Sequence, residues 1–274
     1  MKRDGPISMK QIVTILGARG SIPVSGKQYS RYGGATTCVL FQSGGRFVVL
    51  DAGTGLLSLP EEAVRQAQLP LLLTHPHADH LLGLPMCPYV TAPSARLDVY
   101  AAPRNGLDAR EQLARLMSPP LWPVGPEELP ADIRFHDLPG ELSLGDIRVS
   151  ALEGVHPGGV SVLRLEAAGR RFVFATDCSL TASFAPRLAE FAQGCDLLLC
   201  DGQYSEAEWE SHADYGHSSW DMAARLARQC GAKRLRIIHH SPFRTDTELD
   251  RAAESLRSID PAFDFAKEGE EIEL

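Results

Sequence analysis

The stretch THPHADH places four side chains able to bind a metal, His75, His77, Asp79 and His80, within positions 75 to 80, directly after an apolar run. Core packing has no use for such density. A turn of this composition can aim two imidazoles at one ion, and a carboxylate plus a third imidazole at a neighbouring ion. Other candidates stand alone: His156 in GVHPGG, Asp177 in FATDCS, and Asp201 after LLLC. His239 and His240 are adjacent in IIHHSP, and in extended chain they point in opposite directions, so spacing leaves the choice between them open.

These residues need a scaffold that brings distant stretches together. Alternation and β-branched content mark short strands at QIVTIL, CVLFQ, RFVVL, PLLLT, LDVYA, IRVSAL, SVLRLE, RFVFAT, DLLLC and LRIIH. Helical spacing predicts helices over 109–117, 183–193, 219–230 and 247–258. After an initial meander the strands alternate with helices, an order that predicts two sheets packed face to face with helices on their outer surfaces. His75, His156, Asp177, Asp201 and His239 each fall at or just past a predicted strand end, where a rigid scaffold presents chemistry. CVLFQSGGRFVVLDAG and SVLRLEAAGRRFVFATD also resemble each other as hairpins, so Asp51 and Asp177 occupy matching places. The segment 85–139, with its prolines in SPPLWPVGPEELP, reads as a lid or wall beside the site, with a plain surface loop as the alternative.

Composition narrows the class of protein. At 274 residues, 44% of them apolar and 23% charged, the whole chain 1–274 is expected to form one folded domain with a sizeable core. Its longest apolar runs are far shorter than the roughly 20 residues of a membrane-spanning helix, so no membrane partner is expected. MKRDGPISMK lacks the apolar core of a secretory signal, which points to a cytoplasmic protein. The six cysteines form no CxxC pair and read as reduced, mostly buried thiols. A net charge of -8 disfavours a protein that grips long nucleic acid through its phosphates.

The pattern around His75 is similar to the HxHxDH signature of the metallo-β-lactamase superfamily, followed as in that family by an isolated His, an Asp and a last His. The similarity runs from LGARGSIPVSGKQYSRYGGATTC to IIHHSPFRTD. It implies an α/β fold, the four-layer αββα sandwich, and a binuclear metal-dependent hydrolase. By resemblance, His75, His77 and His156 hold the first metal; Asp79, His80 and the last His hold the second; Asp177 bridges them. IIHHSP is most like the LTHxS-type end of the phosphodiesterase branch, which favours His239 over His240 as the last ligand. These nitrogen and oxygen donors suit two divalent ions, zinc first, with manganese and iron compatible. Cys178, beside Asp177, is expected to face away from the site.

The run from Asp201 to Pro242 resembles that of RNase Z-type phosphodiesterases, in which an acidic residue and a histidine act together. The resemblance implies that Asp201 orients His217 and that His217 protonates the departing oxygen, a need of alkoxide leaving groups more than of lactams or lactones. Asp79 is expected to help orient the attacking water. Ser218 can instead be read as a helix cap, and His212 and Asp214 as loop residues. No Gly-rich basic arm of the kind that grips tRNA precursors is present, so the expected substrate is a small phosphodiester or cyclic nucleotide, attacked by a metal-bridging hydroxide. Arg19, Arg31 and Tyr32 lie in loops able to meet a phosphate, and Arg31 and Tyr32 are taken as substrate-binding candidates. Ala35 stands where the family usually has Asn, which puts a shared contact there in doubt. The rival expectations are a lactone, thioester or other acyl hydrolase on the same fold, and a non-catalytic metal-bearing sensor. A homodimer is compatible with all of these.

Overall fold

The computed structural model describes residues 10–274, so the reading of the N-terminal MKRDGPISM lies outside the described residues. The strands are β1 (Gln11–Gly17), β2 (Cys38–Ser43), β3 (Arg46–Leu50), β4 (Gln68–Leu73), β5 (Arg96–Ala101), β6 (Asp132–Asp137), β7 (Glu141–Leu144), β8 (Ile147–Gly154), β9 (Val160–Ala167), β10 (Arg170–Ala175), β11 (Leu197–Asp201), β12 (Leu235–Ile238), β13 (Phe263–Phe265) and β14 (Glu271–Glu273). The α-helices are α1 (Glu61–Val64), α2 (Ala109–Leu116), α3 (Ala185–Phe191), α4 (Glu206–Trp209), α5 (Trp220–Cys230) and α6 (Asp246–Ile259).

One sheet has the order β14-β1-β2-β3-β4-β5-β6, the other β13-β12-β11-β10-β9-β8-β7. In the first, β3, β4, β5 and β6 run parallel; in the second, β10, β11, β12 and β13 do. Val13, Ile15, Val39 and Phe41 of the first sheet meet Leu163, Leu165, Phe172 and Phe174 of the second in a shared core, with Phe41 and Phe172 stacked at 6.0 Å. A second apolar layer lies between the second sheet and α3, α5 and α6, and a third covers the first sheet under α2 and its neighbouring loops. This is the αββα sandwich expected. The run Leu197–Asp201 is buried on both faces, as a central parallel strand between two apolar layers must be.

Local chemistry sets the helix ends. Ser219 caps α5 by accepting from the Met222 amide at 3.1 Å, and Gly231, left-handed at φ 65°, ends it. The cap is therefore Ser219, and Ser218 is free for another task. Four strands escape sequence reasoning, β6, β7, β13 and β14. β7, β13 and β14 span only three or four residues, and β6 alternates exposed Asp132 and Arg134 with Ile133 and Phe135 that are only half-buried. The segment 85–139 is thus not a lid as a whole, because it carries β5 and β6 into the first sheet. Among the described residues no helix is long and apolar enough to cross a membrane.

Candidate metal centre

Strands β3 and β4 run parallel in one sheet and β8, β10, β11 and β12 point the same way in the other, and Asp51, His75, His156, Asp177, Asp201 and His239 sit at or within two residues of their ends. The edge they share gathers two clusters. Ligand atoms of His75, His77 and His156 lie within 4.8 Å of one another, and so do those of Asp79, His80, Asp177 and His239. Asp177 touches both: its Oδ2 is 3.6 Å from His75 Nε2 and 3.1 Å from His239 Nε2, and its Oδ1 is 3.3 Å from His80 Nε2.

The imidazoles are aimed by a second ring of groups. His80 Nδ1 donates to Asp51 at 2.7 Å, which turns Nε2 to the cluster. Asp51 is held in turn by the Thr74 amide and hydroxyl, each at 2.8 Å. His156 Nδ1 donates to the Gly216 carbonyl at 2.9 Å, leaving Nε2 as the acceptor that faces His77 Nδ1 at 3.1 Å. Asp79 accepts from the Ser21 amide at 2.7 Å and from His239 Nε2 at 3.0 Å. Gly20 lies so close to His239 that a Cβ there would collide with the imidazole.

Electrostatics match the geometry. Burial opposes charging His80, but the carboxylates of Asp177, Asp79 and Asp51 outweigh it and hold the imidazole well above its ordinary range. Burial would raise the carboxyls of Asp79 and Asp177, yet the surrounding histidines push both below the usual range. His75, His77 and His156 are shifted down, chiefly by burial, toward the neutral form that donates a lone pair. A buried negative pocket faced by neutral imidazoles is a place for cations. His75 Nε2 and His80 Nε2 are buried without a hydrogen-bond partner, a cost that a bound ion would remove. The donor set fits two divalent ions.

His239 is the histidine that turns inward. It adopts φ 65°, while His240 turns the other way, donates Nε2 to the Ala266 carbonyl at 2.8 Å and packs against Tyr32 and Phe265. Burial lowers the His240 pKa to about 3, as suits a neutral core histidine. Beside the clusters, His217 Nδ1 donates to Asp201 Oδ2 at 2.8 Å, and its ring stacks on His239 at 4.8 Å. Burial disfavours the His217 imidazolium, but Asp201's charge and hydrogen bond prevail and raise its pKa to about 9. The Ser218 amide donates to the other Asp201 oxygen at 2.8 Å, and the Ser218 hydroxyl donates to the Cys178 carbonyl at 2.6 Å. The Cys178 thiol donates to the Ala175 carbonyl within the core and faces away from the site, as expected.

One expected substrate contact is corrected. Tyr32 is 1% exposed, and its hydroxyl donates to Asp250 at 3.2 Å. The Arg31 side chain, 56% exposed, pairs with Asp250 and reaches Asp246, so both residues contact α6, and burial removes Tyr32 alone from the substrate candidates. Arg19 is likewise buried, donating to the carbonyls of Gly33, Ser241 and Arg244. Conversely, reasoning from sequence missed the orienting roles of Asp51, Thr74 and Gly216. The hairpin echo that paired Asp51 with Asp177 was the available signal: both take positive φ, 60° and 50°, just past β3 and β10, and His80 lies between them.

Comparison with known proteins gives the same picture. Ribonuclease Z of Lachnoclostridium phytofermentans is 38% identical over 87 residues, 31% of this chain and 27% of that protein. The chain spans a third or less of the length of the first curated relatives it matches, 27% and 33%. The probable metallo-hydrolase YhfI of Bacillus subtilis is 25% identical over 89% of this chain and 93% of its own length. The YhfI crystal structure, 22% identical, superposes with a TM-score of 0.73 over 97% of this chain and 100% of that one. Human short-form tRNase Z, 20% identical, gives 0.67 over 95% and 98%. At such identities the superpositions speak for the fold. The β-lactamase superfamily domain matches residues 46–240, from β3 through the ligand turns to His240, and the chain belongs to that family.

Proposed function

We propose that this chain, folded as a single domain, is a metal-dependent hydrolase that cleaves a small phosphodiester. Its site residues would hold two divalent ions, zinc first and manganese or iron compatible: His75, His77 and His156 on one, Asp79, His80 and His239 on the other, with Asp177 between them. When bound, the ions supply Lewis acidity and make water acidic enough to attack near neutral pH.

One observation carries the choice of reaction, the buried Asp201–His217 pair stacked against His239. A nitrogen of His217 lies within 4.8 Å of ligand atoms of His156 and Asp177, so its proton is within reach of a group bound at the clusters. Asp201 fixes the tautomer and sustains the imidazolium. His217 gives its proton to the departing alkoxide, which is too basic to leave unaided. Asp79, kept ionised by its histidine neighbours, serves as hydrogen-bond acceptor for the attacking water. Relatives named Ribonuclease Z count against excluding RNA, so RNA belongs among the substrates tested.

The test is hydrolysis of bis(p-nitrophenyl) phosphate, an alkyl phosphodiester, a short RNA and a panel of lactones and thioesters by the metal-loaded protein. His217→Ala is expected to cost about 10²- to 10⁴-fold on the alkyl ester and much less on the nitrophenyl ester, whose leaving group departs without a proton. Turnover of the acyl panel alone, with His217→Ala harmless, defeats the reading. Full metal content without turnover of any substrate points to a sensor instead.

A further inference from the structure

Beside Tyr204 the surface holds a cavity of about 240 Å³ that the reaction as described does not use. Its walls include Tyr204, His212, Phe243, Arg244, Glu208 and Glu248. Tyr204 joins it to the site: its ring stands edge-on to His217 at 6.2 Å and stacks on His212 at 4.7 Å, interplanar angle 26°. His212 is fixed in that stack because its Nδ1 donates to the Glu208 carbonyl at 2.8 Å. The two rings form a settled wall.

Phe243 also lines the cavity. It is 84% exposed, an unusual position for a phenyl ring, and it is not on a loose loop. The turn that carries it is closed by the Arg244 amide donating to the Ser241 carbonyl at 3.0 Å. Buried Arg19 then donates one nitrogen to two carbonyls of that turn, Ser241 at 3.1 Å and Arg244 at 2.8 Å. Folding thus holds the backbone that carries an exposed aromatic ring at the cavity, and a partner that covers the ring meets little backbone ordering cost.

Size, charge and position say what covers it. The volume is below the roughly 300–1,000 Å³ of pockets for drug-sized ligands, so it suits a single planar ring system. Glu208 is paired with Arg244 at 2.6 Å, which leaves the lining net negative through Glu248. A phosphate is repelled there, while ring amino groups find carboxylate acceptors. Since Tyr204, which lines the cavity, also stands edge-on to His217, the occupant is assigned to the part of the substrate that His217 protonates. From these observations we infer that the cavity lined by Tyr204 and Phe243 is a nucleobase subsite, selecting a nucleoside as the departing half of the phosphodiester. The inference rests on the phosphodiesterase reading above.

Calorimetric titration of the metal-loaded protein with adenosine tests the subsite without turnover, with ribose as control. Adenosine is expected to bind and ribose not to; Phe243→Ala should weaken adenosine about tenfold, the usual scale of one base–aromatic stack, and Phe243→Trp should restore it. Because Phe243 is exposed, these variants should melt as the wild type does. Adenosine should also inhibit phosphodiester hydrolysis competitively, as a free leaving group. Ribose binding as well as adenosine, or equal affinity in Phe243→Ala, overturns the subsite. If adenosine binds through Phe243 but no phosphodiester is cleaved, the reading of the reaction falls and the assignment to the leaving group falls with it. Cleavage without adenosine binding removes the subsite alone.

Discussion

Asp79, His80, Asp177 and His239 are all buried, and so are the His75 and His156 side chains, 0% and 2% exposed, whereas the trio's His77 is exposed. The charges differ more sharply. The quartet contains two carboxylates and is backed by a third, Asp51, behind His80. The trio contributes only neutral imidazoles and borrows charge from Asp177. Attraction between a cation and a carboxylate grows as water is excluded, so on the two-ion reading proposed above the quartet would retain its ion more firmly than the trio. Neighbouring sites on one sheet edge can therefore be graded by how deep each ligand sits.

The largest effect should come from removing the residue the two clusters share. If the two-ion proposal holds, Asp177→Ala is expected to lower hydrolysis by roughly 10³-fold or more, since each ion would lose a ligand and several kcal/mol of transition-state stabilisation with it. Elemental analysis should find less than one ion per chain. Retention of two ions in this variant would show that the clusters are independent and would break the comparison at its root. Asp51→Asn acts on the quartet alone. It keeps the shape but removes the charge behind His80, and a loss of about a hundredfold in metal affinity or activity is expected, with the trio's ion retained. Loss of the trio's ion first would reverse the order of depth argued here.

What was legible in the sequence follows the same division between local and remote. THPHADH announces itself because four donors share one turn, and the strands that bury hydrophobic residues on alternate or both faces follow from their pattern. His239 and His240 cannot be told apart by spacing, because what turns His239 inward is a left-handed backbone at φ 65° with Gly20 leaving room for the ring. The same is true of Asp51, whose role appears only when β3 and β4 lie side by side and bring Thr74 to its carboxylate. Tyr32 was misread for the converse reason, and the partners of Arg31 were missed with it. A basic loop residue looks free in a sequence, and only the fold shows Asp246 and Asp250 of α6 waiting for it. Strands β6, β7, β13 and β14 depend on pairing to a neighbour more than on their own apolar content, so short polar stretches such as DIRFHD gave no signal.

The smallest effect, and the sharpest contrast with Asp51→Asn, should come from Gly216→Ala. Gly216 has φ 91°, which an alanine adopts only under strain, and the added Cβ would run into the His156 imidazole. That imidazole takes its orientation from the Gly216 carbonyl, at 2.9 Å from Nδ1. The variant should therefore misaim one ligand of the trio and leave the quartet's supports, Asp51 and the Ser21 amide, untouched. Because His77 is exposed and can adjust, the loss of activity should be about tenfold, at the lower end for a disturbed outer contact. Titration with a chelator should release the first ion at lower chelator concentration than in the wild type, with the second ion unchanged. If Gly216→Ala instead releases both ions together, the trio and quartet behave as one site, and the difference in depth between them has no consequence for binding.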